Sequence, residues 1–216
     1  MLLRDAKLRV FPLQRLRNTA RHEPSQSFLS EVRQLILITT SRRPTDQIRS
    51  MCRDLSNSVP NLIRVNRGKM SLDQVAEKAL ELEADRIFLV DRWNMGSGKI
   101  SLLIIDSGKL TIFPPVMFLS EILLRRDFEK KIRCRASVIT VESKNLHKIE
   151  KLAKYLSKFF GLPLIGVDKE INRRQSSMHV SCNSQGYIQI RLMFLQGMIE
   201  IGPRVTVSKL VWNVQS

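Results

Sequence analysis

Leu35-Ile36-Leu37-Ile38-Thr39-Thr40-Ser41, followed by Arg42-Arg43-Pro44-Thr45-Asp46, is the stretch from which the fold can be read. Four apolar residues in unbroken succession, stopped by hydroxyl residues, mark a strand buried on both faces of an α/β sheet. Pro44-Thr45-Asp46 then opens a helix whose apolar positions, Ile48, Met51, Cys52 and Leu55, recur at helical spacing. Pro60-Asn61 stops it, and Leu62 to Val65 is a second short strand. Ser71 is placed to cap a second helix, with Leu72, Val75, Ala76, Ala79, Leu80 and Leu82 as its buried side. Ile87–Val90 is a third strand. Lys99–Asp106 and Leu110–Phe113 form a hairpin about Ser107-Gly108, and another extended run follows Pro114-Pro115 from Val116 to about Leu124.

The second half repeats this order. Ser137 to Ser143 sits where Leu35 to Ser41 sits in the first half. Ile149, Leu152, Ala153 and Leu156 fall on Ile48, Met51, Cys52 and Leu55. Leu164–Val167 matches Leu62–Val65, Gly186–Ile190 matches Gly98–Leu102, and the interval from Gly197 to Pro203 equals that from Gly108 to Pro114. The expected fold is therefore α/β, in two pseudo-symmetric halves from an internal duplication, each a mixed sheet with helices. The boundaries are a basic extension over residues 1–33, a first half over 34–128 and a second half over 129–216. The second copy is shorter between Val167 and Gly186 and is expected to lack the helix that starts at Ser71.

Charge narrows the function. Over 216 residues the chain carries 36 Lys and Arg against 20 Asp and Glu, a net charge of +16. The extension contributes +4, the first half +3 and the second half +9. Such a surplus favours a polyanion or an anionic membrane as partner. Aromatic residues are only 6%, too few for a platform of stacked bases. No apolar run is long enough for a membrane span, and Arg4 and Lys7 interrupt any signal-peptide core. Cys52, Cys134 and Cys182 are odd in number and lack metal-ligand spacing, which reads as reduced and intracellular.

Catalytic patterns are missing from the sequence. Trp93-Asn94-Met95-Gly96-Ser97-Gly98-Lys99-Ile100 lacks the first glycine and the Ser or Thr of a phosphate loop, and a strand follows it where a helix is needed. It reads as a glycine-rich connection. His22, His147 and His179 lie far apart, and Asp91 has no nucleophile beside it in sequence. Neither an enzyme, a cofactor nor a metal is expected.

Basic residues instead gather where strands end. Arg42 and Arg43 follow the first strand and precede a helix N-terminus, a pairing suited to phosphate. Arg64, Arg67 and Lys69 surround the exit of the second strand, with Gly68 allowing close backbone approach, and Arg92 and Lys99 flank the glycine connection. In the second half Lys144, Lys148, Lys151 and Lys158 form a stripe on one helix, and the linker from Arg125 to Arg135 is also basic. The helix from Ser71 to Glu83 is acidic (Asp73, Glu77, Glu81, Glu83) and should face away from any phosphate backbone.

The sequence resembles the Brix domain of ribosome-biogenesis factors over roughly residues 34–212. The resemblance rests on Ile38-Thr39-Thr40-Ser41 with Pro44, on Pro60-Asn61 leading to Arg64-Val65-Asn66-Arg67-Gly68, and on Asp91-Arg92-Trp93 followed by glycines. It rests also on Pro114-Pro115 and on Glu200-Ile201-Gly202-Pro203-Arg204-Val205-Thr206-Val207. The first half looks closest to the small-subunit processome member. The family implies two halves each similar to the anticodon-binding domain of class IIa aminoacyl-tRNA synthetases, binding of rRNA or guide RNA, ribosome-assembly proteins as partners, and no catalysis. Carried over residue by residue, it points to Arg42, Arg64, Arg67, Lys69 and Arg204. The short extension fits a single-domain archaeal version, cytoplasmic if archaeal and nucleolar if eukaryotic. The expected function is a non-catalytic RNA-binding assembly factor; the alternative is a basic module that scaffolds an acidic protein partner.

Overall fold

The computed structural model describes residues 34–142, 147–166 and 175–213. In chain order the elements are β1 (Leu35–Thr40), α1 (Asp46–Ser58), β2 (Leu62–Arg64), α2 (Leu72–Glu81), β3 (Ala84–Asp91), β4 (Gly98–Asp106) and β5 (Lys109–Leu123). They continue with β6 (Val138–Val141), α3 (His147–Phe160), β7 (Leu164–Gly166), β8 (Ser176–Cys182), β9 (Ile188–Phe194) and β10 (Ile199–Val211).

Among the described residues all ten strands share one sheet, in the order β2-β1-β3-β4-β5-β10-β9-β8-β6-β7. That order reads the same from either edge when β1 is exchanged with β6, β2 with β7, and so on to β5 with β10. In each half the first strand lies parallel between the second and third, and the rest of the ladder is antiparallel. The Leu35 and Val138 strands therefore hold equivalent positions, each second from an edge.

Two expectations about the strands are corrected. The halves are not two sheets: β5 and β10 are long and pair antiparallel, from Val116 opposite Val211 to Leu123 opposite Arg204, so the ladder crosses the junction. Pro114-Pro115 also does not divide its strand. β5 runs through both prolines, and the β4–β5 register shifts between Ile100 and Leu102, which takes up residues that cannot donate to the ladder. β10 does the same at Gly202-Pro203, where its register with β9 shifts between Glu200 and Arg204.

The helices divide between the two faces. Alternation along β1 sends Ile36 and Ile38 to one side and Leu37 to the other. On the first side α1 (Ile48, Met51, Cys52) and α3 (Ile149, Leu152, Leu156, Phe159) enter one core with residues of both halves, among them Met117, Leu119, Val180 and Val205. Each such fully buried apolar side chain contributes about 1.5–3 kcal/mol. On the second side α2 places Val75, Ala76 and Ala79 against Leu37, Ile87 and Leu103. Its start is the capping box expected at Ser71: the Ser71 hydroxyl accepts from Gln74 N and the Gln74 side chain accepts from Ser71 N. Leu80, expected inside, is 47% exposed, because it lies beyond the edge of the strip that Val75 and Ala79 define. The acidic side chains Asp73, Glu77, Glu81 and Glu83 are exposed on this second side. The stretch that corresponds to α2 in the second half lies, at 167–174, outside the described residues.

Candidate functional site

Because β1, β2 and β3 are parallel, their C-terminal ends emerge at one edge of the sheet, where α1 also begins. There a cleft of about 310 Å³ is lined by Arg42, Arg49, Arg64 and Arg67, with Ser41 and Gly68. Thr45 caps α1, its hydroxyl accepting from Ile48 N at 3.3 Å. The remaining N–H groups of the first turn and the positive end of the helix dipole add to the arginine charge.

The guanidinium groups are crowded. Arg42 Nε and Arg67 Nε both donate to the carbonyl of Met70, at 3.3 and 3.1 Å. Burial pushes Arg67 below its usual value, Asp91 opposes that, and Arg42 adds to the depression. Even so it remains a cation at neutral pH. Asp91 is in turn held by Lys99 at 3.3 Å, so a single carboxylate serves several cations. Arg64 Nη2 donates to Asn66 Oδ1 at 2.8 Å, which leaves other donors of the fork free. The Ser41 hydroxyl oxygen is buried and has no hydrogen-bond partner among the described residues. Gly68 has φ +54° and open space where a Cβ would stand, so the glycine answers to backbone conformation rather than to a close neighbour. Cationic donors in excess, an orphan hydroxyl and a helix N-terminus together suit an oxyanion with several acceptor oxygens.

The remaining sequence-derived residues are distributed as follows. Arg43, Lys69 and Arg92 are exposed at the same edge without lining the cleft, and Lys99 is tied to Asp91. Arg204 is only partly accessible: it meets Glu200 at 3.2 Å and stacks 5.8 Å from the centre of the Phe128 ring. Lys151 lies 4.2 Å from the Trp212 ring centre. Lys148 and Lys158 are exposed on α3, but the Lys158 carbonyl accepts from Arg86 Nη1 at 2.7 Å, near the N-terminal end of β3. Lys158 is thus some five strand residues, about 17 Å, from the cleft edge. Lys144 and His22 lie outside the described residues. Arg49 joins the cleft without being among the strand-end residues that the sequence marks; its place one turn after the Thr45 cap is the signal for it.

The glycine connection holds no phosphate loop. Gly98 opens β4, and a Cβ at Gly96 would collide with the Leu119 carbonyl and the Trp93 ring, so that glycine is there for packing. Among the described residues no three His, Cys, Asp or Glu side chains are grouped to hold a metal ion, and no helix is long and apolar enough to cross a membrane.

A single ten-stranded sheet, two helices on one face and an arginine-lined cleft at the parallel strand ends define the class: a strongly basic α/β protein with pseudo-two-fold strand order. No protein-family model matches the chain. A Brix domain-containing ribosomal biogenesis protein of Methanopyrus kandleri is 31% identical over 134 residues, covering 59% of this chain and 67% of that protein. One from Pyrobaculum aerophilum is 26% identical over 181 residues, 82% of this chain and 96% of that protein. The match to the Aeropyrum pernix relative, 38% identical over 69 residues, spans 32% of this chain and only 38% of the relative. Among solved structures, a ribosomal biogenesis protein of Aeropyrum pernix superposes with a TM-score of 0.65 at 21% identity over 82% of this chain and 98% of that one. An archaeal Imp4-like protein superposes with a TM-score of 0.56 at 20% identity, over 82% and 99%. This chain belongs to the Brix domain-containing ribosomal biogenesis proteins.

Proposed function

We propose that this protein is a non-catalytic RNA-binding factor in ribosome assembly, holding rRNA or its precursor through the arginine cleft. The observation that carries this reading is the convergence of Arg42, Arg49, Arg64 and Arg67 on one cleft at the start of α1. Arginine forks can take phosphate oxygens in pairs and so fix the register of a folded RNA, whereas lysines act as mobile point charges. Other assembly proteins are the expected additional partners, and the cytoplasm is the expected compartment in an archaeal cell. The mirrored strand order supports descent of the two halves from a duplicated unit similar to the synthetase anticodon-binding domain.

Binding of an rRNA fragment and of a random competitor at graded salt tests the proposal. Arg42→Ala with Arg67→Ala should narrow the preference for rRNA. Lys148→Ala with Lys158→Ala should weaken both RNAs alike. Equal losses in both variants, or an affinity indifferent to salt, would remove the cleft from RNA recognition and favour an acidic protein partner.

A further inference from the structure

The linker between the halves is clamped to α1 at two points. Asp54 Oδ2 accepts from Arg125 N at 2.9 Å, and the Ser58 carbonyl accepts from Ala136 N at 2.8 Å. Between these anchors the chain arches outward over the end of the helix. Residues 125–135 include six basic and two acidic side chains. Lys131 Nζ folds back onto the Arg125 and Arg126 carbonyls at 3.1 and 2.8 Å, and Arg125 reaches the carbonyl of Ile132, so these two cations stiffen the arch from within. Beyond them burial alternates. Ile132 and Cys134 are partly covered and Ala136 is buried, while Arg133 and Arg135 are exposed and, among the described residues, form no ion pair. The arch encloses a cleft of about 660 Å³ bounded by Asn57, Arg125, Lys131, Arg133, Cys134 and Arg135.

Asn57 and Arg49 connect this cleft with the first one. Arg49 lines the arginine cleft and Asn57 the linker cleft, and Arg49, Arg53 and Asn57 are exposed residues four apart, hence on one side of α1. The two clefts sit at opposite ends of a 13-residue helix, about 18 Å apart. Of the carboxylates near this line, Asp46 pairs with Arg49 at 2.9 Å, Asp54 accepts from the linker and Asp127 lies 3.8 Å from Arg126, while Glu129 is exposed in the arch, so the basic side chains outnumber the acidic ones without being free of them. The acidic side chains of α2 lie on the other face of the sheet.

We propose that the exposed side of α1 is a continuous phosphodiester track, running from Arg42 and Arg67 through Arg49 and Arg53 to Arg133 and Arg135 of the linker arch. The proposal rests on the RNA-binding reading and extends it to a second contact point and a required strand length. An anion small enough for one cleft reaches one end only. A strand of several nucleotides engages both.

The test compares single-stranded RNA of about four nucleotides with RNA of about twelve, bound to the full chain at 50 to 200 mM salt. Arg133→Ala with Arg135→Ala should leave the short strand unaffected and weaken the long one. Losing two contacts lowers the salt slope by about 1.4 to 1.8, so the variant should lose about 7- to 12-fold less affinity across that salt range. Arg133→Lys with Arg135→Lys should keep the slope, which guards against misfolding as the cause. Protection of Cys134 from alkylation by the long strand but not by the short one gives an independent readout. If the wild type binds the long strand with steep salt dependence and the Arg133 and Arg135 variant does the same, the track is overturned while RNA binding stands. If the wild type binds neither strand, the RNA reading itself falls, and the track with it.

Discussion

His179 makes this fold acid-sensitive in a calculable way. The imidazole is 5% exposed on β8, its Nδ1 lies 2.9 Å from Thr140 Oγ1, and that hydroxyl is 3.0 Å from Ser177 Oγ. Burial, and then the Arg191 guanidinium on the neighbouring strand, pushes its pKa down to about 4 against the weaker pull of Glu142. Above pH 6.5 the ring is neutral whether the chain is folded or not, and its full contribution is present. As pH falls from 6.5 towards 4 the unfolded chain takes up a proton that the folded chain refuses, so stability is lost over that window and levels off below it. A gap of about 2.5 pH units corresponds to about 3 kcal/mol, which in a chain of this size is about 6–12 °C in Tm. Thermal unfolding at pH 7 and pH 4.5 captures most of it, about 2.4 kcal/mol. His179→Gln should remove most of that share, leaving the decline due to carboxylates. Wild type and variant losing stability in parallel would show that His179 charges freely in the folded state.

Two glycines should differ in how they tolerate a methyl group. Gly96→Ala drives a Cβ into the Leu119 carbonyl and the Trp93 ring and should lower stability by about 1–3 kcal/mol, whereas Gly68→Ala meets open space and should show only the strain of its positive φ, about 1 kcal/mol. Denaturant midpoints rank them, and equal losses would contradict the packing role given to Gly96. The thiols should react in a fixed order. Cys52 is buried, which pushes its pKa up to about 12, while Cys134 is partly exposed in the linker, so alkylation of the native protein should label Cys134 and spare Cys52. Mass spectrometry of the peptides reads this directly, and early labelling of Cys52 would mean that α1 opens.

Much of this was legible locally. The unbroken run at Leu35–Ile38, the cap at Ser71 and the period of Ile48, Met51 and Cys52 are short-range signals, and each became the element it indicates. Parallel strands put their C-terminal ends at one edge, so the convergence of Arg42, Arg64 and Arg67 followed from the strand pattern alone. What escaped depends on contacts between distant residues. Nothing near Leu123 announces that its strand will pair with that of Arg204, so the sequence pattern alone reads as two sheets where there is one. Arg204 looked free until Glu200 and Phe128 closed on it, and the linker looked like a loose charge run until Asp54 and Ser58 fixed its ends. Prolines mislead in a different way: Pro114-Pro115 signals a break, yet a shift in register keeps β5 whole.

The pairing of β5 with β10 also sets a schedule for synthesis. When Leu123 emerges from the ribosome, β1 to β5 can already assemble, but the far edge of β5 presents unpaired N–H and C=O groups along its length. Its partner is encoded roughly 80 residues later, so at ~5–20 residues per second that edge waits ~4–16 s. Throughout that interval the nascent chain carries a template for any strand that drifts past, including the same edge of a neighbouring nascent copy. Arrival of β10 closes it and brings the two sides of the shared core together, so the last strand of the sheet to be made seals the first half as well as the second.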